Sequence, residues 1–226
     1  MTSPEPRFAR LAAMIGDPTR ARMLSALMGG EWLAAGELAA AAGVTAATTS
    51  AHIAKLLDAE LIVLRTRGRH RYLRLAGDDV ARVLESLSFV AERSAHADKW
   101  SRGAYRPLKV ARTCYRHIAG ELGVALCDGL LARGTLAPCD GHFTLSDAGR
   151  GELGALGVAL PGESGARRVA HACFDWSERR DHLAGSLATS LLDHGLAHGW
   201  WRRQAGSRAL QLLPPGSAAL APWLRR

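Results

Sequence analysis

Apolar positions recur at helical spacing near the start of the chain, and capping residues divide them into separate elements. Residues 8–15 carry such a pattern, which stops at Gly16. Asp17 is a good N-cap and Pro18 suits the first helical position, so a second helix is predicted over 19–28. The chain therefore begins with two short helices separated by a tight turn.

The next pattern predicts a helix, a turn, a second helix and a β-hairpin. Residues 35–42 predict a short helix that is closed by Gly43. Thr45 caps the following helix, whose apolar positions face inward: Ile53, Leu56 and Leu57. Strands are predicted over 61–64 and 72–75. This order is typical of a winged helix-turn-helix.

A change of pattern after the hairpin indicates a domain boundary. An amphipathic helix capped by Asp78 runs to about residue 92, and the polar, mixed stretch 93–107 is interpreted as a linker. At 226 residues the chain is long enough for two domains with separate cores. We therefore predict an N-terminal domain over 1–92 and a C-terminal domain over 108–226.

The C-terminal region contains an internal repeat. Residues 117–134 run parallel to residues 182–199, and His117 and His182 occupy equivalent positions. Each copy is interpreted as helix, helix, two-stranded hairpin, helix. The predicted units span about 108–160 and 171–226. The predicted fold class is mainly α with small β-hairpin wings: a winged helix-turn-helix followed by a pair of winged-helix-like repeat units.

Composition and charge agree with a globular protein that has a polyanionic partner. Hydrophobic residues make up 48% of the chain and charged residues 22%, and the formal net charge is +8. The sequence has neither an apolar run of membrane-spanning length nor a signal-peptide core, so we expect no membrane association. Four irregularly spaced cysteines suggest reduced thiols and a cytoplasmic, nucleoid-associated location.

Helix 45–60 and the hairpin after it carry side chains suited to DNA. Small polar side chains at the start of the helix allow it to enter the major groove. The hairpin has no acidic residue and carries five arginines suited to phosphates: Arg65, Arg67, Arg69, Arg71 and Arg74. The alternative is a solvated helix face beside a hairpin whose arginines only increase solubility.

Five motifs occur in order within the first ninety residues. They are Gly16-Asp17-Pro18-Thr19-Arg20, Glu37-Leu38-Ala39, Gly43-Val44-Thr45, Ser50-Ala51-His52-Ile53-Ala54-Lys55-Leu56 and Gly68-Arg69-His70-Arg71-Tyr72-Leu73-Arg74-Leu75. In this combination the chain resembles the ArsR/SmtB family of dimeric bacterial winged-helix repressors. The resemblance implies a homodimer on double-stranded, palindromic DNA, assembled mainly through the first and last helices of the domain.

Position within this resemblance assigns candidate DNA contacts. Residues expected at or near base edges are Thr45, Ala46, Ala47, Thr49, Ser50 and His52. Residues expected at phosphates or in the minor groove are Lys55, Arg67, Arg69 and Arg71. For His52 alone, a plain surface position is an equal alternative. Arg20 and Arg22 are interpreted either as contacts to the DNA backbone or as residues that only increase solubility.

The metal positions familiar from this family are not present in the sequence. The scaffold helix carries Ala39-Ala40-Ala41 where a thiolate sensor would have a Cys-x-Cys arrangement, and the helix from Asp78 lacks a histidine pair. The controlling signal is therefore expected to act on the C-terminal half. The ligand that carries it is either a metal ion or another small-molecule effector, and the sequence does not distinguish the two.

Cysteine and histidine residues of the second half are candidates for that signal. Cys114 and His117, three residues apart on a predicted helix, would share a face and suit a soft or borderline metal. Cys173 lies in a second group with His171 and Asp175. The alternative is that such cysteines are small buried hydrophobes.

A reactive thiol is a further alternative for Cys114. Arg112 and Arg116 lie close to it in sequence and would lower the pKa of its thiol.

Aromatic residues concentrate in the same half and suggest a ligand pocket. The candidate lining residues are Trp100, Tyr115, Trp176, Trp200 and Trp201. Ordinary core packing is the alternative for these side chains. Another alternative is that the basic stretch 200–208, which includes Trp200 and Trp201, forms a second contact with nucleic acid.

An enzyme that uses the winged helix only as a scaffold is the competing functional class. The sequence shows no phosphate-cradling glycine-rich loop, nucleophile elbow or metallohydrolase motif. We therefore predict a non-enzymatic, sequence-specific DNA-binding regulator: a homodimeric repressor released by a small-molecule, metal or redox signal.

Overall fold

The computed structural model describes residues 7–68, 70–93, 106–160 and 169–224. The chain divides into two compact units, Met1–Leu84 and Glu85–Arg226. The division falls within a helix, earlier in the chain than the predicted linker. Most of that linker, residues 94–105, lies outside the described residues.

The first unit is a helical domain with one small antiparallel sheet. Its elements are α1 (Arg7–Ile15), α2 (Pro18–Leu27), β1 (Leu33–Ala34), α3 (Ala35–Ala42), α4 (Ala46–Asp58), β2 (Ile62–Arg67), β3 (His70–Leu75) and the start of α5 (Asp78–Glu92). The strand order is β1-β3-β2. The predicted helices and hairpin are confirmed, whereas β1, a strand of two residues, was not predicted from the sequence.

Local capping explains where these helices begin and end. The Asp17 carboxylate accepts hydrogen bonds from the backbone N–H groups of Thr19 at 3.0 Å and Arg20 at 2.9 Å. Gly43 ends α3 in the left-handed conformation with φ 68°. Both predictions of a helix boundary are confirmed.

Two arginines complete the ends of helices in this unit. Arg20 is buried, and its guanidinium donates to the carbonyl oxygens of Met14 at 2.6 Å and Ala13 at 2.9 Å. Arg22 donates to the carbonyl oxygen of Ala42 at 3.2 Å. Arg20 therefore binds terminal carbonyls of α1, and Arg22, which is exposed, binds one of α3.

The second unit alternates hairpins with helices. Its elements after α5 are α6 (Arg106–Val110), β4 (Arg112–Cys114), β5 (His117–Ala119), α7 (Glu121–Ala132), β6 (Leu136–Cys139), β7 (His142–Leu145), α8 (Asp147–Ala155), β8 (Ala170–Phe174), β9 (Asp181–Ala184), α9 (Ser186–Ala197), β10 (Trp201–Arg203), β11 (Leu210–Leu212) and α10 (Pro214–Leu224). Strands β6 to β9 form one sheet, and β4-β5 and β10-β11 form two others.

The order hairpin, helix, hairpin, helix occurs twice in this unit, from β4 to α8 and from β8 to α10. The predicted order of helix, helix, hairpin, helix is therefore wrong in its first element. Strands of three residues joined at Tyr115, which has φ 56°, are too short to show an alternating pattern in the sequence.

A glycine begins the central helix of each copy. Gly120 precedes α7 with φ 81° and Gly185 precedes α9 with φ 100°. These backbone conformations are open to glycine and strained for other residues. At Gly120 a Cβ atom would also lie 2.5 Å from the carbonyl oxygen of Lys109.

Helices α7 and α10 approach so closely that the contact requires a glycine. A Cβ atom at Gly129 would lie 1.7 Å from the carbonyl oxygen of Trp223. We expect Gly129→Ala to destabilise the second unit by roughly 1–3 kcal/mol through overpacking. Gly151→Ala in α8, where no atom lies within 4 Å of the new methyl group, is the matched control and should be neutral or stabilising. Urea unfolding of both variants measures the difference, and equal midpoints would contradict it.

Candidate functional site

Helix α4 presents a row of small side chains on the surface of the first unit. The exposed residues at its N-terminal end are Thr45, Ala46, Ala47, Thr48, Ser50 and Ala51. Thr45 caps the helix by accepting from the backbone N–H of Thr48 at 3.2 Å, and Ser50 donates its hydroxyl to the carbonyl oxygen of Ala46 at 3.0 Å. This end of the helix is therefore slim, uncharged and accessible.

Two of the predicted base contacts have different surroundings. Thr49 is only 1% exposed, and its hydroxyl donates to the carbonyl oxygen of Thr45 at 2.8 Å, so its assignment to DNA is wrong. His52 is half-buried, with Nδ1 3.5 Å from Arg20 and 3.8 Å from Asp17. Its imidazole therefore contacts the start of α2.

Two exposed residues at the N-terminal end of α4 were not among the predicted DNA contacts. Thr48 and Ala51 lie on its accessible surface, and Ala51 follows Ala47 by one helical turn. The spacing of Ala47, Ala51 and Lys55, all exposed, was the available signal.

The wing is a hairpin of two six-residue strands, β2 and β3, whose arginines divide between its two faces. Arg65 pairs with Tyr72 and Arg67 pairs with His70, so these side chains share a face. Arg71 pairs with Thr66 on the other face. Arg69 lies outside the described residues.

The fifth wing arginine has a neighbour of its own. The guanidinium carbon of Arg74 lies 4.8 Å from the centre of the Trp32 ring, a cation–π contact. The side chains of Arg65, Arg67 and Arg71 are exposed at the outer end of the hairpin. The wing therefore offers positive charge on both of its faces.

A second candidate site lies inside the C-terminal unit. It is formed by Cys114, His117, Cys173 and His182, whose ligand atoms all lie within 4.8 Å of one another. The Nε2 atoms of His117 and His182 are 3.0 Å apart. We refer to these four residues as the Cys–His cluster.

The placement of the cluster corrects the sequence analysis. Cys114 and His117 lie on β4 and β5 and pair across the hairpin, so the prediction that they share a helix face is wrong. Cys173 pairs with His182 in the same way across β8 and β9. His182 was not predicted as a partner, although its position equivalent to His117 in the repeat was a usable signal. His171 and Asp175 are not members of the cluster.

Asp175 lies directly behind the cluster. Its carboxylate oxygen Oδ2 is 3.2 Å from His182 Nδ1, 3.0 Å from the Arg112 guanidinium and 2.7 Å from the backbone N–H of Gly120. Its other oxygen accepts from the backbone and hydroxyl of Ser177. Burial raises the pKa of Asp175, but these contacts outweigh it and leave the pKa well below its usual range.

The neighbours of Cys114 keep its thiol protonated. A hydrogen bond to Cys173 and then burial raise its pKa to about 12, contrary to the lowering predicted from Arg112 and Arg116. Burial lowers the pKa of His182, but Asp175 and Cys114 outweigh it and raise the pKa to about 9. A thiol in this state is a poor nucleophile, which disfavours the reactive-thiol interpretation.

Buried charges connect this region with α5. Arg112 lies 3.3 Å from Glu85, and Arg208 donates to the same carboxylate at 2.6 Å. All three side chains are buried. Attraction to Arg208 and Arg112 outweighs burial, so the pKa of Glu85 is lowered.

Four of the five predicted aromatic pocket residues are buried in the second unit. Trp201 donates its indole N–H to the carbonyl oxygen of Leu192 at 3.0 Å, and Trp176 lies under the Arg112 guanidinium at 4.5 Å. Tyr115 and Trp200 are also buried, while Trp100 lies outside the described residues. These positions favour the alternative of core packing.

A cleft of about 520 Å³ occurs elsewhere in this unit. Its lining residues are Glu121, Val124, Ala125, Asp128, Gly129, Ala132, Glu178, Arg180, Trp223 and Leu224. The predicted pocket residues that the structure describes are not among them. Within the described ranges, no helix combines the length and apolar character needed to cross a membrane.

Comparisons with known proteins match both the first unit and nearly the whole chain. A family model described as a helix-turn-helix domain matches residues 15–65. YdfF of Bacillus subtilis (strain 168), an uncharacterized HTH-type transcriptional regulator, is 37% identical over 215 residues, which cover 95% of each chain.

Two further matches cover a smaller part of the chain. The HTH-type transcriptional regulator CmtR of Mycobacterium tuberculosis (strain ATCC 25618 / H37Rv) is 39% identical over 83 residues, 37% of this chain and 70% of CmtR. A solved homodimeric winged helix-turn-helix DNA-binding domain from Mycobacterium bovis, a possible ArsR-family regulator, has 29% identity and a TM-score of 0.37. It covers 42% of this chain and 95% of its own. The chain therefore belongs to the family of HTH-type transcriptional regulators that includes YdfF.

Proposed function

We propose that this regulator binds double-stranded DNA, with the N-terminal end of α4 in the major groove and the wing on the adjacent backbone. The observation that carries the proposal is the exposed, uncharged start of α4, next in sequence to a hairpin with arginines on both faces. Small side chains let a helix approach base edges, and arginines bind phosphates.

Removing wing charge tests this proposal. In Arg67→Ala/Arg69→Ala/Arg71→Ala, we expect DNA affinity to fall by roughly tenfold or more and the salt dependence to become shallower, because fewer counterions are released. Fluorescence anisotropy with a duplex from the region upstream of the chain's own gene, at several salt concentrations, measures both quantities.

The matched control removes the same charge from the second unit. Arg116→Ala/Arg133→Ala/Arg180→Ala deletes three arginines whose side chains contact Asp193, Glu152 and Asp128. Its affinity and salt slope should stay near those of the unmodified protein. The wing assignment is wrong if the two triple variants behave alike, and the whole proposal fails if the unmodified chain binds no DNA at low salt.

The chain acts as a homodimer in this proposal, with α1 and α5 supplying the contact. Phe8 on α1 is 73% exposed, and α5 exposes a stripe of apolar side chains at helical spacing: Val83, Leu87 and Val90, the last 63% exposed. A second copy of the chain is the occupant that the family resemblance implies. A dimer would place two α4 helices one DNA turn apart on a palindrome.

A charge in the α5 stripe should break the dimer. We expect Leu87→Asp to convert the dimer to a monomer in analytical ultracentrifugation, because association would bury an unpaired carboxylate. Arg82→Asp, an exposed position of the same helix outside this stripe, is the control. A monomeric unmodified chain, or a Leu87→Asp variant that stays dimeric, would contradict the proposal.

The proposed mode of action is repression that a signal in the second unit relieves. Glu85 supports this route because it belongs to α5 and binds two arginines of the second unit, Arg112 and Arg208. A change around Arg112 would therefore reach the helix assigned to dimer contact. Such a signal acts by favouring one of two arrangements of the dimer over the other.

A further inference from the structure

We propose that the Cys–His cluster is a binding site for a tetrahedral, thiolate-preferring divalent cation of the zinc type. Two hairpins supply one cysteine and one histidine each: Cys114 with His117, and Cys173 with His182. Both members of each pair are direct cross-strand neighbours. The sheet register therefore presents four ligands from two rigid elements, separated widely in sequence, at one place.

The spacing of the four ligand atoms fits one ion. A tetrahedral zinc ion with bonds of about 2.0–2.3 Å separates two nitrogen ligands by roughly 3.3 Å and two sulfur ligands by about 3.8 Å. The two Nε2 atoms are 3.0 Å apart, and all four atoms lie within 4.8 Å of one another. Movements on the order of 1 Å would complete the coordination.

Asp175 supplies the outer contact that metal-binding histidines usually have. In the neutral imidazole that binds a metal ion, a carboxylate beside Nδ1 favours the tautomer with the proton on that atom, which leaves the Nε2 lone pair directed at the cluster. Asp175 Oδ2 lies 3.2 Å from His182 Nδ1 and is itself held by Gly120 and Arg112. The Asp175 carboxylate therefore lies behind His182, close to Nδ1, where it favours this orientation of the ring.

Charge balance also fits a divalent cation. Two thiolates and two neutral imidazoles around M²⁺ carry no net charge, and the nearby Asp175 carboxylate faces the Arg112 guanidinium at 3.0 Å. Cys114 and Cys173 each release a thiol proton to solvent as a metal–sulfur bond forms, His182 releases the proton on Nε2 as the metal–nitrogen bond forms, and no electrons are exchanged. Cys173 is half-buried, which gives the ion a route from solvent.

A disulfide between Cys114 and Cys173 is the competing use of these thiols. Both cysteines are free in the structure. A disulfide gives no role to the two imidazole nitrogens that face each other at 3.0 Å, whereas a shared cation uses all four groups. With all four positions taken by protein, the site is of the closed type that stabilises a fold or senses an ion.

Cobalt substitution tests the site directly on the full chain. The reduced protein, stripped with a chelator, is titrated with Co²⁺. We expect one equivalent to produce the intense visible bands of tetrahedral cobalt and a thiolate-to-cobalt charge-transfer band, and one equivalent of Zn²⁺ to remove them. The charge-transfer band should weaken in Cys114→Ser and in Cys173→Ser, and zinc affinity should fall at least about 100-fold, because losing an outer contact alone costs about 10–100-fold.

Cys139→Ser is the matched control, since Cys139 is exposed and not in the cluster. It should titrate like the unmodified protein. Circular dichroism verifies that each variant is folded. If Cys114→Ser unfolds, Cys173→Ser tests the site alone, because Cys173 is half-buried and its replacement disturbs the fold less. Absence of the bands in the folded, reduced chain overturns the proposal, as does a charge-transfer band of undiminished intensity in Cys173→Ser. Since no DNA enters the assay, these results are independent of the proposed repressor function.

Discussion

Replacing Ala51 with glutamate is expected to abolish specific DNA binding while the first unit stays folded. Ala51 is exposed on α4, one helical turn from Ala47, so the new carboxylate would enter the proposed interface. A longer anionic side chain would hold the helix away from base edges and repel phosphates. Glutamate is nearly as good a helix former as alanine, so the loss of affinity, on the order of 100-fold, should come from the interface.

The measurement is anisotropy on the same duplex, with circular dichroism to verify folding. Ala218→Glu, an exposed position in α10 of the second unit, adds the same charge and is the control. Similar affinities for the two variants would show that this face of α4 does not contact DNA. A selective loss in Ala51→Glu would locate the interface more sharply than the wing variant, because arginine contacts to phosphate are tolerant of position.

The first unit was the more predictable part because its signals are local. Asp17, Gly43 and Thr45 act on backbone groups within a few residues, so their effect can be inferred from the sequence. The burial of Thr49 could not be inferred in this way, because a threonine hydroxyl either faces solvent or donates to the backbone carbonyl four residues earlier, as it does here. The wing arginines were identified, but their division between two faces depends on a strand register that the sequence leaves open.

The second unit was harder because its important contacts are distant in sequence. Strands β4 and β5 have three residues each, and such short runs do not distinguish strand from helix. Cys114 and His117 were recognised as a pair, yet their partners on β8 and β9 come from another hairpin. The tryptophans were ambiguous for a different reason: bulky aromatic side chains serve a core and a pocket equally well, and only burial separates the two roles.

Asp175→Ala is expected to destabilise the second unit by roughly 3–5 kcal/mol, because it leaves a buried guanidinium without its nearest carboxylate. Arg112 is 0% exposed and would keep only Glu85 at 3.3 Å as an anionic partner. The backbone N–H groups of Gly120, Ser177 and Glu178 would also lose their acceptor. Asp175→Asn, which retains one acceptor oxygen, should have a smaller effect.

Urea unfolding in the presence of a chelator measures this effect without a contribution from bound metal. Tryptophan fluorescence follows mainly the second unit, since Trp32 is the one tryptophan in the first 99 residues. Asp193→Ala is the control: its carboxylate pairs with Arg116 at 3.4 Å, both side chains are exposed, and its loss should cost less than about 1 kcal/mol. Equal midpoints for Asp175→Ala and Asp193→Ala would mean that the buried charges around Arg112 do not stabilise the unit. A large difference would establish Asp175 as the common support of the β4-β5 hairpin, of α7 and of the imidazole of His182.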